Sequence, residues 1–214
     1  MKMILIIIKF YLFTLINAYP YYQTCITHNT NATILNSLNG KIQGACYNVT
    51  VNYCYKPNET NQILTWLKVP YAQAPINNLR FKNPVPVKSW KNIKDGTTWS
   101  KRCIQWDGNK IDDYSSENCL FLNIFVPYQV YIDSVIEKKQ DAKSPIYIWI
   151  HGGSNNAGSA TDDTYESSTL VAMSNIIVVT INYRLGPFGF FTITDTEAKG
   201  NQGNYYCKAP YLFV

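Results

Sequence analysis

At 214 residues, 46% of them apolar and 14% aromatic, the chain has enough material for one packed domain. Only 15% of residues are charged, which excludes a disordered polyelectrolyte. The formal charge of +5 is dispersed, apart from small groups such as residues 88–94, so no nucleic-acid partner is expected. Residues 1–18, MKMILIIIKFYLFTLINA, combine a basic start, a long apolar body and a small exit residue, Ala18, and read as a secretory signal peptide. Lys9 interrupts that body and weighs against the alternative, an uncleaved anchor, because a spanning helix needs about 20 predominantly apolar residues.

Residues 19–39 are polar and weakly patterned, and are expected to form an exposed N-terminal extension. Three N-x-T sequons, at Asn31, Asn48 and Asn58, mark candidate glycosylation sites in an exported chain. All six cysteines follow the leader, an even count suited to disulfides in an oxidising compartment. Cys46 and Cys54 are close enough in sequence to pair across a hairpin, whereas Cys25 and Cys207 receive no partner. With no C-x-x-C pair and two histidines, a zinc site is not expected.

Residues 40–51 and 63–69 alternate well enough to be short strands, with Lys56-Pro57-Asn58 as the turn between them. Pro70, Pro75, Pro84 and Pro86 make the next stretch an irregular, extended connection. LFLNIFV at 120–126 is a strand candidate closed by Pro127, and 132–143 is a loop or a short exposed helix. Residues 146–150 and 176–181 are apolar and β-branched, the pattern of strands buried on both faces of a sheet flanked by helices. A modest helix is expected at 165–173 between them. Strand, Gly-rich loop, helix, strand is the α/β crossover order.

Several segments, in order, resemble the type B carboxylesterase family, which includes the cholinesterases and the neuroligins. They are WLKVPYA at 66–72, LRF at 79–81 ahead of a proline and Trp90, CIQ at 103–105 and SENCLFLNIFVP at 116–127. His151-Gly152-Gly153 follows, then VVTINYRLG at 178–186, Gly189-Phe190 and GNQG at 200–203. The resemblance covers about residues 40–203. It implies the N-terminal part of an α/β-hydrolase fold, a mostly parallel sheet that is incomplete here. It also implies a disulfide between Cys103 and Cys119 at the rim of an active-site gorge; closing a loop of about 15 residues contributes roughly 3 kcal/mol on the loop-entropy account. Arg80 and Glu117 match an ion pair buried beneath that loop, the alternative being two separate solvated charges.

The same resemblance makes the backbone N–H groups of Gly153 and Ser154 two donors of an oxyanion hole, where fixed amides stabilise charge growing on an attacked carbonyl oxygen. Ser154 departs from the glycine usual at this place and matches the HGGS of the non-catalytic neuroligins. A nucleophilic serine on a G-x-S-x-G turn is required further along, and the 214 residues contain none. His28 and His151 do not match the family's base; His151 is expected to orient the loop. Asp162, Asp163 and Glu166 read as acids at a helix start. Residues 204–214 leave the family pattern, so a truncated or mis-spliced product is expected, with a short isoform as the alternative. The strand at 176–181 is expected to be central and to lack the neighbour that bears the nucleophile, leaving an apolar edge in water.

Two functions compete: an acyl-transferring ester hydrolase acting on an ester substrate, and an adhesion protein that binds a protein partner through the same fold. Trp106 lies nearer a rim position than a choline-binding floor, and no metal or organic cofactor is implied.

Overall fold

Short apolar alternation produces thirteen strands among the described residues of the computed structural model, which describes residues 22–25, 33–53, 56–193 and 200–204. The expected signal peptide, Asn31, His28, Cys54, Cys207 and residues 205–214 lie outside them. In chain order the strands open with β1 Tyr22–Thr24, β2 Ile34–Ser37, β3 Gly40–Gln43, β4 Ala45–Tyr53 and β5 Lys56–Pro70. Short strands β6 Lys94–Asp95, β7 Arg102–Cys103, β8 Trp106–Asp107, β9 Lys110–Ile111 and β10 Ser115–Ser116 follow. The series ends with β11 Phe121–Pro127, β12 Ile146–Ile150 and β13 Ile177–Ile181. Three short α-helices complete it: α1 Tyr128–Tyr131, α2 Ser168–Ser174 and α3 Gly186–Phe190.

Six strands form the main sheet in the order β1-β4-β5-β11-β13-β12. The sheet is mixed rather than mostly parallel: β12 and β13 pair in parallel, and the other neighbours pair antiparallel. Parallel neighbours need a crossover, and the loop and α2 between β12 and β13 supply it. The antiparallel part follows from the β4–β5 hairpin, whose ladder runs from Ala45↔Thr65 to Tyr53↔Lys56.

Several expectations shift for local reasons. The single strand expected at 40–51 breaks at Gly44, where a Cβ would collide with the Thr65 carbonyl and the Trp66 ring, and β3 turns away to pair with β2 and β6. Lys56-Pro57-Asn58 is not the turn but the start of β5. The ladder tolerates Pro57 because the register shifts between Val51 and Tyr53, so no strand bond needs its missing N–H. The segment 19–39 is not wholly an exposed extension, since β1 adds to β4 and β2 adds to β3. The stretch 132–143, expected as a loop or a short exposed helix, opens with a π-helical turn, Ile132–Ile136, that continues α1, and is loop thereafter. The helix placed at 165–173 becomes a 3-10 turn, Asp163–Tyr165, followed by α2.

Period-two alternation sorts the core to the two faces of the sheet. Leu64, Trp66, Leu122, Ile124, Val179 and Ile181 pack on one face with Tyr131, while Ile63, Leu67, Phe125 and Val178 pack on the other against Val171 and Ala172 of α2. Each such large side chain contributes about 1.5–3 kcal/mol by leaving water.

β12 does not share this burial. Ile146 is 58% exposed and Ile148 41% exposed, although the strand was expected to be covered on both faces. The free apolar edge also lies elsewhere than expected. β13 is paired on both sides, with β11 and β12, so the open edge belongs to β12. That edge carries no charge and no proline to deter strand addition. The chain is therefore expected to self-associate, and Ile148→Lys to raise the monomer fraction in analytical ultracentrifugation. A monodisperse unsubstituted monomer refutes this.

Candidate active site

β12 ends at Ile150, and the chain turns at once through His151 to Gly158. The turn is possible because Gly153 (φ 114°) and Gly158 (φ 109°) occupy conformations that side chains rarely adopt, and a Cβ on Gly153 would strike the Ala157 carbonyl. The Gly153 carbonyl accepts the N–H groups of Asn156 (3.0 Å) and Ala157 (3.1 Å), which closes the turn on itself. Ser154 (φ 52°) and Asn155 (φ 61°) are also left-handed. Gly152, Gly153 and Ser154 are exposed, and their N–H groups have no internal acceptor among the described residues. The loop thus presents consecutive open amide donors at the C-terminal end of a strand.

His151 is buried beneath the loop. Its ring stacks on Tyr183 with centroids 4.4 Å apart, Nδ1 lies 2.9 Å from the Gly152 carbonyl, and the Tyr183 hydroxyl donates to the His151 carbonyl at 2.9 Å. Burial lowers the imidazole pKa below its ordinary 6.5, opposed by the Gly152 hydrogen bond and the Asp162 charge. The side chain is therefore a neutral wedge at neutral pH.

Buried amide side chains hold the loop's far end. Gln105 bonds Gly158 in both directions at 2.9 Å. Asn182 Oδ1 accepts from the Ala160 N–H at 2.7 Å, and Asn123 Nδ2 donates to the Ala160 carbonyl at 3.1 Å. The Gly186 N–H at the start of α3 donates to the Asn155 carbonyl at 2.7 Å. Sequence reasoning named none of these side chains as site residues, although Gln105, Asn123 and Asn182 fall inside the segments that carry the family resemblance.

Cys103 and Cys119 are joined, with Cα atoms 5.0 Å apart. Cys46 does not pair with Cys54. It is bonded to Cys25, with Cα atoms 5.4 Å apart, because β1 lies beside β4 and brings Cys25 across from it. Cys46 and Tyr53 lie on one extended strand, which at about 3.4 Å per residue carries position 53 more than roughly 20 Å away. Arg80 and Glu117 form a bidentate ion pair at 2.5 and 2.6 Å, with side chains 42% and 21% exposed. The pair is not deeply buried, so the penalty for stranding a buried charge does not apply; the Glu117 hydrogen bond raises the Arg80 pKa.

Arg184 is the buried cation. Nη2 donates to the Gln202 carbonyl at 3.3 Å, Nε and Nη1 have no partner among the described residues, and desolvation lowers its pKa. Asn48 sits on β4, where its side-chain oxygen accepts from Gln62 at 3.1 Å, and Asn58 lies on β5. Trp106, 65% exposed, pairs with Ile111 in the β8–β9 hairpin inside the disulfide-closed loop. Glu166 caps α2 by accepting the Ser168 N–H at 3.1 Å, while Asp162 binds Arg102 at 2.9 Å.

A mixed sheet with a strand–glycine loop–helix–strand crossover defines an α/β protein, with open amides at the end of β12. The chain belongs to the carboxylesterase family, which it matches over residues 31–205. It is 31% identical over 196 residues to liver carboxylesterase B-1 of Rattus norvegicus, covering 85% of this chain and 32% of that protein. It is 36% identical over 154 residues to cocaine esterase of Homo sapiens, covering 66% of this chain and 26% of that one. It is likewise 36% identical over 154 residues to acetylcholinesterase of Leptinotarsa decemlineata, covering 63% and 24%. The chain thus spans no more than about a third of the length of these relatives.

Two measurements probe the loop. Gly153→Ala is expected to lower stability by more than about 1 kcal/mol, because strain and collision coincide. Ser154→Gly is expected to gain up to about 1 kcal/mol by relieving a left-handed serine; denaturant titration of both variants checks the opposite signs. The second concerns pH. The folded-state pKa of His151 is depressed, so the unfolded chain takes up the proton first. Its stabilising contribution is complete above the ordinary value of 6.5 and is lost as pH falls from there toward the lowered folded value. The melting temperature should fall between pH 7 and 5, and fall less in His151→Phe.

Proposed function

We propose that this chain is the N-terminal portion of a secreted carboxylic ester hydrolase with an incomplete α/β-hydrolase fold. The observation that carries it is the open amide pair of Gly153 and Ser154 at the end of β12, in a member of the carboxylesterase family. As a nucleophile attacks an ester carbonyl, charge grows on oxygen, and these preset N–H donors stabilise it without reorganising. The nucleophilic serine, its histidine base and the orienting acid belong to the part of the family domain that this chain does not cover, and the 214 residues alone are inactive. The substrate is a carboxylic ester, in keeping with relatives called cocaine esterase and carboxylesterase. Two disulfides, the apolar leader and the sequons at Asn31, Asn48 and Asn58 support passage through the secretory pathway.

A second function, adhesion to a protein partner with no chemistry, is favoured by one observation: a serine, not glycine, holds the left-handed third position of the loop. The residue at the centre of the downstream elbow separates the two. Sequencing the transcript beyond the Gly203 codon is expected to reveal G-x-S-x-G. Another residue at its centre favours adhesion, and a verified stop after Val214 overturns the partial-chain proposal. A fluorophosphonate probe is expected to leave the 214-residue chain unlabelled; covalent labelling would reveal a nucleophile within it.

A further inference from the structure

We propose that Gln105 is the positioning residue of the oxyanion loop, through which the segment closed by the Cys103–Cys119 disulfide sets the orientation of the Gly153 and Ser154 amides. The proposal rests on the oxyanion role assigned above and adds the residue that holds that geometry.

Gln105 is buried two residues after the disulfide-bonded Cys103, and its carboxamide makes three hydrogen bonds to backbone groups. Nε2 donates to the Cys103 carbonyl at 3.2 Å and to the Gly158 carbonyl at 2.9 Å, while Oε1 accepts the Gly158 N–H at 2.9 Å. One side chain therefore grips both the disulfide and a glycine 53 residues away.

That glycine is the exit of the loop. A Cβ on Gly158 would lie 2.5 Å from both the Gly152 carbonyl oxygen and His151 Nδ1, so its backbone rests directly against the first residues of the turn. His151 is held at the entrance by Tyr183, and Asn155 in the middle by Gly186. The 153–157 turn is closed by its own hydrogen bonds, so its placement depends on these supports at its two ends and middle. The Gln105 support comes from a separate covalently closed segment, and Arg102 adds an ion pair to Asp162 on the same side, with nitrogen and oxygen 2.9 Å apart. Oxyanion donors are effective only when held in place before the charge appears.

The test is residue-resolved amide hydrogen exchange of the 214-residue chain. Gln105→Met keeps the volume and removes every polar bond. It is expected to speed exchange at Asn156, Ala157 and Gly158 by on the order of tenfold, while Ile124 and Val179 in the sheet stay within about twofold. Gln105→Glu retains an acceptor for the Gly158 N–H and is expected to recover part of that protection. Unchanged protection at Gly158, or equal acceleration throughout the sheet, overturns the proposal. Should the variants fail to fold, the unsubstituted chain suffices. The Gln105 side-chain amide protons and the Gly158 N–H must then show matching protection factors, each rate being divided by that group's intrinsic rate, since they open together, and independent protection factors overturn it. The readout is not ester cleavage, so failure here leaves the hydrolase proposal standing, and a non-serine elbow leaves this anchoring intact.

Discussion

Asn182, immediately after β13, carries the constraint on which the arrangement of the site depends. Its Oδ1 accepts from the Ser159 hydroxyl and the Ala160 N–H, and its Nδ2 reaches the Ser100 hydroxyl and the Lys101 carbonyl at 3.3 and 3.4 Å. Its own carbonyl accepts from the buried Tyr71 hydroxyl at 2.7 Å, a bond formed where burial has pushed that phenol's pKa up. Two remote segments therefore meet on one buried carboxamide, and a third is bonded to the main chain of the same residue. Polar groups so buried are expensive unless each finds a partner. Satisfying this one fixes where the chain leaving the loop crosses the sheet.

The crossover between β12 and β13 shapes both the site and its exposed flank. It carries the loop at its start and α2 behind it, and it makes β12 and β13 parallel neighbours. β13 then lies between β11 and β12, so the loop-bearing strand is pushed to the rim of the sheet. The loop that presents open amides is thus joined to an apolar edge presented to solvent. One strand order produces both.

The loop itself balances strain against support. Gly153 and Gly158 tolerate their conformations without cost, whereas Ser154 and Asn155 are left-handed with side chains attached. The hydrogen bonds from Gln105, Gly186 and Tyr183 hold that conformation in place. Serine rather than glycine at position 154 leaves the amide exposed while adding strain to the turn.

Local pattern was sufficient for much of this. The apolar runs at 120–126, 146–150 and 176–181 announced strands, and the glycines of the His151 turn announced the loop, because apolar β-branched runs and tolerance of positive φ are written in residue type. The mixed pairing, the break at Gly44 and the Cys25–Cys46 bridge were not legible, since each depends on which remote strand arrives alongside. Gln105 illustrates the same divide: its place in a family motif was visible, but not the glycine it grips. By itself the sequence determined the principal strands, the glycine turn after β12 and the family. Strand order, the exposed β12 edge and the supports beneath the loop were decided only by tertiary structure, because packing and the satisfaction of buried polar groups are properties of meeting surfaces, not of neighbouring residues.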